Sequence, residues 1–370
     1  NFSGKTQALK NKLKDFKVRI VLTAHPTQFY PSNVLGIIHD MGIAIAKNDY
    51  NTINHYIQQL GLTPFFNKKQ PTPTDEALNL MWYLENIFYH SIGNIYNTIV
   101  HQVFDNDFES ANPFIELGFW PGGDRDGNPN ITASITESAM VLQVGHAIRV
   151  TIAAMDELRQ MLSISTRITG VSKALLDSVE KDLKHIPEFE ERFKRLNVQE
   201  PYRLKATAIV HRLAFTRSRH ASGGPHVAHR DYNNTAELLA DLALMRDSLL
   251  ENRGELMATG LLERTMRTVS AFGLTHATLD VREHSDAHHH TLAFAFGDDY
   301  KSKNHEDRFA ILSNELSSTK KLDFKKCDER AQKTLDTFTA VFDIVKRFGP
   351  ESIETYIVSM TKGSDDLLAA

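Results

Sequence analysis

The sequence predicts an α/β protein that is predominantly helical, with a few short strands set between long helices. Four strand-length segments rich in β-branched and aromatic residues interrupt the helical periodicity, at 18–23, 114–120, 274–281 and 353–360. Each segment ends in a polar cluster, and one or more helices follow each of the first three. Strand, polar loop and helix in repetition are typical of a β/α barrel or a doubly wound sheet.

Apolar residues recurring near a period of 3.6 predict the helices. The predicted helices span 33–47, 75–103, 132–162, 202–215, 235–250, 261–271 and 329–348. The helix that begins at Tyr202-Arg203-Leu204-Lys205 carries basic residues, which we interpret as a solvated face. A closed barrel needs about eight strand–helix units. With four strands, the chain 1–370 is therefore predicted to be one incomplete domain, the first half of a barrel with large helical insertions.

The bulk composition restricts the class of protein. The 370 residues are 41% hydrophobic and carry a net charge of −4, so no basic surface for nucleic acid is predicted. The single cysteine, Cys327, excludes an internal disulfide framework. No apolar run reaches the roughly 18 residues that span a bilayer, and the N-terminus lacks the apolar core of a signal peptide. We expect a cytoplasmic protein with no membrane partner.

The first strand leads into the stretch VLTAHPTQ, residues 21–28, where His25 precedes Pro26. In barrels and doubly wound sheets, chemistry collects at the carboxyl ends of the strands, which is where His25 is predicted to lie. A neutral imidazole can accept a proton near pH 7. The alternative interpretation is a hydrogen-bonded structural histidine.

The stretch WPGGDRDGNPN, residues 120–130, follows the second strand. Asp124, Asp126 and Asn128 match the first, third and fifth positions of a calcium loop, but the sixth is Pro129 and the twelfth is Ile135, where glycine and glutamate are needed. We therefore reject calcium.

Two interpretations of this loop stay open. In the first, Arg125 faces an anion and the flanking aspartates hold that arginine in place. In the second, the loop is a glycine-rich turn with a surface ion-pair network.

The third strand ends at Asp280-Val281-Arg282-Glu283. The planar guanidinium of Arg282 suits a carboxylate or a phosphate, although it could simply pair with a neighbouring acid. His284 is four residues before His288, a spacing that can ligate zinc on a helix. Because no further ligand stands out nearby, we favour a solvated, histidine-rich helix start and predict no metal ligand in this chain.

Taken together, these motifs resemble those of phosphoenolpyruvate carboxylases. The matching stretches occur in the family's order and cover nearly the whole chain. They are VLTAHPTQ (21–28), FWPGGDRDGNPNIT (119–132), EPYR (200–203), FGLTHATLDVREHS (272–285) and YIVSMTKGSDDLL (356–368). Two departures stand out, since members commonly have glutamine where Glu283 stands and many have arginine where Ala287 stands.

The resemblance implies a fold and an activity. The fold is a (β/α)8 barrel, of which this chain would be an inactive fragment. The reaction joins phosphoenolpyruvate to bicarbonate, by way of carboxyphosphate and an enolate, and gives oxaloacetate and phosphate. His25 would take the proton from carboxyphosphate, Arg282 would bind the phosphate, and Arg125 with Trp120 would line the bicarbonate side.

The resemblance further implies Mg²⁺ or Mn²⁺ held by ligands outside this chain, a homotetramer, and control by effectors. Two alternatives remain from the residues themselves. One is a barrel lyase acting on an enol phosphate without bicarbonate, and the other is a non-catalytic half-barrel binding module.

Overall fold

The computed structural model describes residues 18–22, 32–63, 71–103, 115–128, 130–189, 191–318, 322–324 and 326–370. Within them, four strands form one parallel sheet in chain order, β1-β2-β3-β4. The strands are β1 Val18–Leu22, β2 Ile115–Phe119, β3 Thr278–His284 and β4 Thr355–Ser359. Because all four run the same way, their carboxyl ends meet at one edge of the sheet.

Helices make up most of the rest, which confirms the predominantly helical class. The first group is α1 Ser32–Ala46, α2 Tyr50–Leu62, α3 Pro73–Tyr83, α4 Tyr89–Val103, α5 Ala133–Met161, α6 Lys173–His185, α7 Glu191–Leu196 and α8 Pro201–Ser222. The second group is α9 Thr235–Glu251, α10 Glu255–Met257, α11 Glu263–Phe272, α12 Ser285–Phe296, α13 His305–Leu316, α14 Glu329–Phe348 and α15 Ser364–Leu368. Two π-helical turns, Leu84–Phe88 and Ala258–Leu262, and two 3₁₀ turns, Tyr300–Ser302 and Pro350–Ser352, complete the set.

The main hydrophobic core lies between the sheet and the helices. Leu117 and Phe119 of β2 and Leu279 and Val281 of β3 all belong to it. Successive side chains of a strand point to opposite faces, so these four residues define the helix side of the sheet. Asp280 and Arg282, at the alternate positions of β3, therefore point to the other side.

Helix α5 is the longest helix in the described part of the chain and packs against α8. Thr132 caps it by accepting a hydrogen bond from the backbone of Ile135 at 3.3 Å. Among the described residues, α5 is the one helix whose length and composition would allow it to cross a membrane. Its residues Met140 and Ile148 lie fully buried in the core, which accounts for its apolar character without a membrane.

The third strand begins later than the sequence predicts, at Thr278 instead of 274. Gly273 and His276 both have positive φ values, 58° and 72°, and the His276 amide donates to the Phe272 carbonyl, so a turn occupies the predicted start. At its other end the strand extends to His284, beyond the predicted segment 274–281, so Arg282 lies within the last residues of the strand.

Of the other sequence predictions, the one at Lys205 can be compared with the structure, and the one at His25 cannot. Lys205 is wholly buried, so the prediction of a solvated face at the start of α8 is wrong for this residue. The stretch around His25 falls within 23–31, outside the residues that the structure describes. The closure of the sheet into a barrel, and with it the half-barrel domain, stays a prediction.

Candidate functional site

The glycine-rich loop after β2 is joined to β3 by backbone hydrogen bonds. The Arg125 amide donates to the Arg282 carbonyl and the Arg282 amide donates to the Gly123 carbonyl, each at 2.9 Å. Gly123 is required for this close approach, because a Cβ there would overlap the carbonyl oxygen of Asp280. The loop thus extends the sheet by one parallel bridge, Asp124 to Arg282.

Asp124 holds Arg282 along one edge of the guanidinium. Nε donates to Asp124 Oδ1 at 2.8 Å and Nη2 donates to Asp124 Oδ2 at 2.9 Å, the bidentate geometry that this pair favours. Asp126 Oδ2 lies 3.5 Å from Nη2. Among the described residues nothing accepts a hydrogen bond from Nη1, so the outer edge of the group is left for another partner.

Trp120 covers one face of the same guanidinium. The Arg282 Cζ atom lies 4.6 Å from the centre of the Trp120 ring, within cation–π distance. Gly127 leaves room for this arrangement, since a Cβ there would lie 2.6 Å from Asp124 Oδ2 and 3.4 Å from Arg282 Nη2. We call Arg282, Asp124 and Trp120 the Arg282 clamp. The Arg282 side chain is 27% exposed, so the clamp holds a cation where a ligand can reach it.

The structure corrects the first interpretation of the loop. Asp124 and Asp126 hold Arg282, and neither forms an ion pair with Arg125 in the described part of the chain. The sequence could not separate the two arginines, because Asp124 and Arg282 are 158 residues apart and meet only through the β2–β3 pairing.

Arg125 itself turns to the helix side of the sheet. Its Nη2 donates to Thr136 Oγ1 of α5 at 2.7 Å, and Thr136 in turn donates to the Gly122 carbonyl at 2.7 Å. The residue is only 6% exposed, and its Nε and Nη1 are buried without a hydrogen-bond partner among the described residues. Burial lowers the pKa of Arg125, while the charges of Tyr356 and Glu283 act in the opposite direction.

A cavity of about 470 Å³ lies beside Arg125, between the loop, α12 and α14. Its wall includes Glu283 and Ala287, the two positions at which this chain departs from the usual family residues. Glu283 lies on the opposite face of β3 from Arg282, next to Arg125. The extra charge that the sequence placed beside the expected phosphate site therefore belongs to this cavity.

One acidic residue near the clamp gave no sequence signal. Burial, and secondarily the charge of Asp124, raise the pKa of Glu76 on α3. Nothing in the sequence of α3 relates Glu76 to residue 124, because the relation depends on how α3 packs.

The described residues do not form a fitting site for Mg²⁺ or Mn²⁺. His289, Asp365 and Asp366 place one ligand atom each within 4.8 Å of one another. However, Asp365 accepts hydrogen bonds from Arg308 at 2.8 Å and His305 at 2.7 Å, and Asp366 accepts from His289 and from two backbone amides. All four carboxylate oxygens thus face N–H donors, whereas Mg²⁺ requires free oxygen ligands in octahedral geometry.

The zinc interpretation of His284 and His288 also finds no support. His284 caps α12, its Nδ1 accepting from the Asp286 amide at 3.0 Å. His288 is buried with its Nε2 3.3 Å from the Tyr356 hydroxyl. The two rings are engaged with different partners.

Fold and site together define a class of protein, an α/β protein with a partly exposed, clamped arginine near the carboxyl edge of a parallel sheet. A family model described as phosphoenolpyruvate carboxylase matches residues 3–370. The chain belongs to the phosphoenolpyruvate carboxylase family.

Curated relatives bear the same name. The chain is 32% identical to the phosphoenolpyruvate carboxylase of Roseiflexus castenholzii, with 95% of this chain and 40% of the relative covered. It is 30% identical to that of Rhodopseudomonas palustris, covering 94% and 39%, and 28% identical to that of Bradyrhizobium diazoefficiens, covering 98% and 41%. The chain spans about two fifths of the length of these relatives.

Proposed function

We propose that the Arg282 clamp is the phosphate-binding part of a phosphoenolpyruvate carboxylase active site. The intact protein would join phosphoenolpyruvate and bicarbonate, giving oxaloacetate and phosphate. The single observation that carries the proposal is the geometry of Arg282. Its inner edge is fixed by Asp124 and its face by Trp120, and none of the described residues accepts a hydrogen bond from Nη1 on its outer edge.

The clamp suits a phosphoryl group for electrostatic reasons. A guanidinium whose orientation is already fixed needs little reorganisation when negative charge grows on the phosphoryl oxygens during transfer. The outer edge offers N–H donors in the planar spacing that phosphate oxygens accept. Trp120 shields one face from water, which strengthens the interaction with the charged substrate.

The remaining parts of the site belong to the same proposal. We assign the proton-accepting role to His25, from its place in the family's TAHPT stretch. Arg125, together with Trp120, was predicted to line the bicarbonate side of the site, and that role stays a prediction. The Arg125 side chain lies on the helix side of the sheet, where it donates to Thr136. No step is assigned to a metal, because the described residues provide no fitting site for one.

The family also suggests the setting of the enzyme. We propose a cytoplasmic homotetramer in which the four-stranded sheet is the first half of a (β/α)8 barrel. The consecutive order of the parallel strands supports this architecture. Since the chain spans two fifths of its relatives, the activity is proposed for the intact protein, and we expect these 370 residues alone to be inactive.

The test of the proposed function is product formation by the intact protein. Phosphoenolpyruvate and Mg²⁺ are supplied with and without added bicarbonate, and oxaloacetate is measured. We expect product only when bicarbonate is present. Turnover of the enol phosphate without bicarbonate would favour a lyase, and binding without turnover would favour a non-catalytic module.

Substitution of His25 separates the two steps of the proposed reaction. In His25→Asn we expect oxaloacetate formation to fall by roughly 100-fold or more, the usual size of a lost acid–base group. Bicarbonate-dependent phosphate release should persist, because the histidine is assigned to the step after phosphoryl transfer. Equal loss of both products would contradict that assignment.

A further inference from the structure

The loop after β2 is held on both faces of the sheet. On the face away from the helices, Asp124 accepts two hydrogen bonds from Arg282, at 2.8 and 2.9 Å. On the helix side, the next residue, Arg125, donates from Nη2 to Thr136 Oγ1 at 2.7 Å. The same hydroxyl donates to the Gly122 carbonyl at 2.7 Å. Thr136 of α5 therefore contacts the loop twice, once on each side of Asp124.

The direction in which Asp124 points is linked to the direction in which Arg125 points. Asp124 is bridged to Arg282 like a residue of a parallel strand, and successive side chains of a strand point to opposite faces. A shift of the loop by one residue would exchange the faces to which the two side chains point. The contact between Arg125 and Thr136 is compatible with only one of these registers, the one in which Asp124 meets Arg282.

The contacts of Thr136 lie in a closely packed part of the protein. Thr136 is wholly buried, and Arg125 is 6% exposed. Gly122 has a φ of 86° and lies so close to α5 that a Cβ on it would be 2.5 Å from the Cβ of Ala139. No described residue other than Thr136 accepts a hydrogen bond from the Arg125 side chain. Loss of the Thr136 hydroxyl would therefore remove the described hydrogen bond that holds Arg125 on the helix side.

We propose that Thr136 is a positioning residue of the Arg282 clamp, which sets the place of Asp124 through Arg125 and Gly122. Thr136 has no described contact with Arg282 itself, so its influence passes through the loop. It also lies outside the stretches that resemble the family, which end at 132 in this part of the chain. The inference rests on the proposed phosphate-binding function of the clamp.

Calorimetric titration of the intact protein with phosphoenolpyruvate tests the proposal. Thr136→Val keeps the shape of the side chain and removes its hydroxyl, and we expect the dissociation constant to rise about fivefold, as one or two lost hydrogen bonds predict. Thr136→Ser keeps the hydroxyl and should bind within about twofold of the wild type. The matched control is Thr337→Val, because Thr337 is equally buried and its hydroxyl donates to the Lys333 carbonyl of its own helix at 2.9 Å. This control should bind like the wild type.

The serine variant also guards against misfolding. If Thr136→Val yields no folded protein, Thr136→Ser still gives a result. A folded Thr136→Ser protein whose dissociation constant rises about fivefold would overturn the proposal, because its hydroxyl is retained.

A double-mutant cycle with Asp124 distinguishes positioning from a general loss of structure. Asp124→Asn already loosens the hold on Arg282, so the Thr136 hydroxyl should then matter little. We expect Thr136→Val to raise the dissociation constant less than about twofold in the Asp124→Asn protein, against about fivefold in the wild type. Effects that simply multiply would show that Thr136 does not act through Asp124, and would overturn the proposal.

The crystal structure of the intact Thr136→Val protein examines the same step without a ligand. We expect the two hydrogen bonds between Asp124 and Arg282 to be lost or to lengthen beyond about 3.5 Å. Hydrogen bonds of unchanged length would overturn the proposal.

Arg282→Met separates this proposal from the proposed function. If Arg282→Met binds phosphoenolpyruvate like the wild type, the phosphate-binding function of the clamp is wrong, and the role of Thr136 falls with it. If Arg282→Met weakens binding while Thr136→Val leaves it unchanged, the function stands and the positioning role of Thr136 alone is overturned.

Discussion

Two cations in this protein, Lys205 and Arg282, are each held by aspartates, but they differ in how many of their N–H donors contact other residues of the chain. Lys205 on α8 donates hydrogen bonds to Asp182 Oδ2 at 2.7 Å and Ser178 Oγ at 2.8 Å, and forms an ion pair with Asp241 Oδ1 at 2.7 Å. Three partners thus surround an ammonium group that has three donors. Arg282 is held along one edge, and no described residue accepts a hydrogen bond from Nη1.

The two cations also differ in how far they are buried. Lys205 is wholly buried between α6, α8 and α9, where Arg212 also pairs with Asp241 at 2.6 Å. Arg282 is partly exposed at the carboxyl edge of the sheet. A wholly buried cation surrounded by partners of the same chain stabilises the fold, whereas a partly exposed cation held on one side can also bind a ligand. The predictions below test that distinction.

The largest expected effect is on stability, from Lys205→Met. The substitution leaves Asp182 and Asp241 buried with less countercharge, and breaking a buried pair in this way costs about 3–5 kcal/mol. Denaturant unfolding measures the loss. The control is Lys194→Met, which removes the Lys194–Glu191 surface pair and should cost less than about 1 kcal/mol. Similar losses in both variants would show that the Lys205 network is not structural.

Acid should destabilise the protein through His276, which packs against Tyr89 and Phe272. This histidine is buried with both ring nitrogens unpaired among the described residues, and burial lowers its pKa from 6.5 to about 4. Between those values the unfolded chain binds a proton that the folded protein does not, so the free energy of unfolding falls as pH decreases. By pH 5 the loss is about 2 kcal/mol.

The measurement for His276 is the pH dependence of the free energy of unfolding between pH 8 and pH 5. In His276→Asn the slope should decrease by about one proton, and asparagine tolerates the positive φ of this position. The exposed His39→Asn serves as the matched control. An unchanged slope in His276→Asn would mean that this histidine is not the group that titrates.

A smaller effect is expected when the clamp is loosened but its shape is kept. Asp124→Asn removes the charge that orients Arg282, and we expect the dissociation constant for phosphoenolpyruvate to rise about tenfold, the value of one charge-assisted hydrogen bond. Asp126→Asn is the matched control, because its carboxylate lies 3.5 Å from Arg282 and should matter about twofold. Equal effects would mean that the bidentate contact does not set the orientation of Arg282.

The sequence predicts much of the framework. The four strand segments, the helix Glu329–Phe348 and the place of Arg282 near a strand end all follow from local periodicity and turn chemistry. Such features depend on residues that are close in the sequence, so a single sequence is enough to predict them. The predicted start of β3 was wrong because the left-handed backbone at His276 is uncommon for residues other than glycine, so the local sequence did not indicate the turn.

The partners of charged residues were harder to predict. Lys205 looked like a surface residue because its acids, Asp182 and Asp241, lie on other helices. One of the two open interpretations of the loop after β2 paired Asp124 and Asp126 with Arg125 instead of Arg282, for the same reason. Long-range pairing depends on strand register and helix packing, which no local pattern contains.

The most direct test of the central claim is the affinity of the intact protein for phosphoenolpyruvate after Arg282→Met. Calorimetric titration of the wild type, of Arg282→Met and of the control Arg246→Met gives the three dissociation constants. If the open edge of Arg282 binds the phosphate, Arg282→Met binds roughly 100-fold more weakly, as lost charged hydrogen bonds predict, and Arg246→Met binds like the wild type. A folded Arg282→Met protein whose affinity stays within about twofold of the wild type would contradict the account.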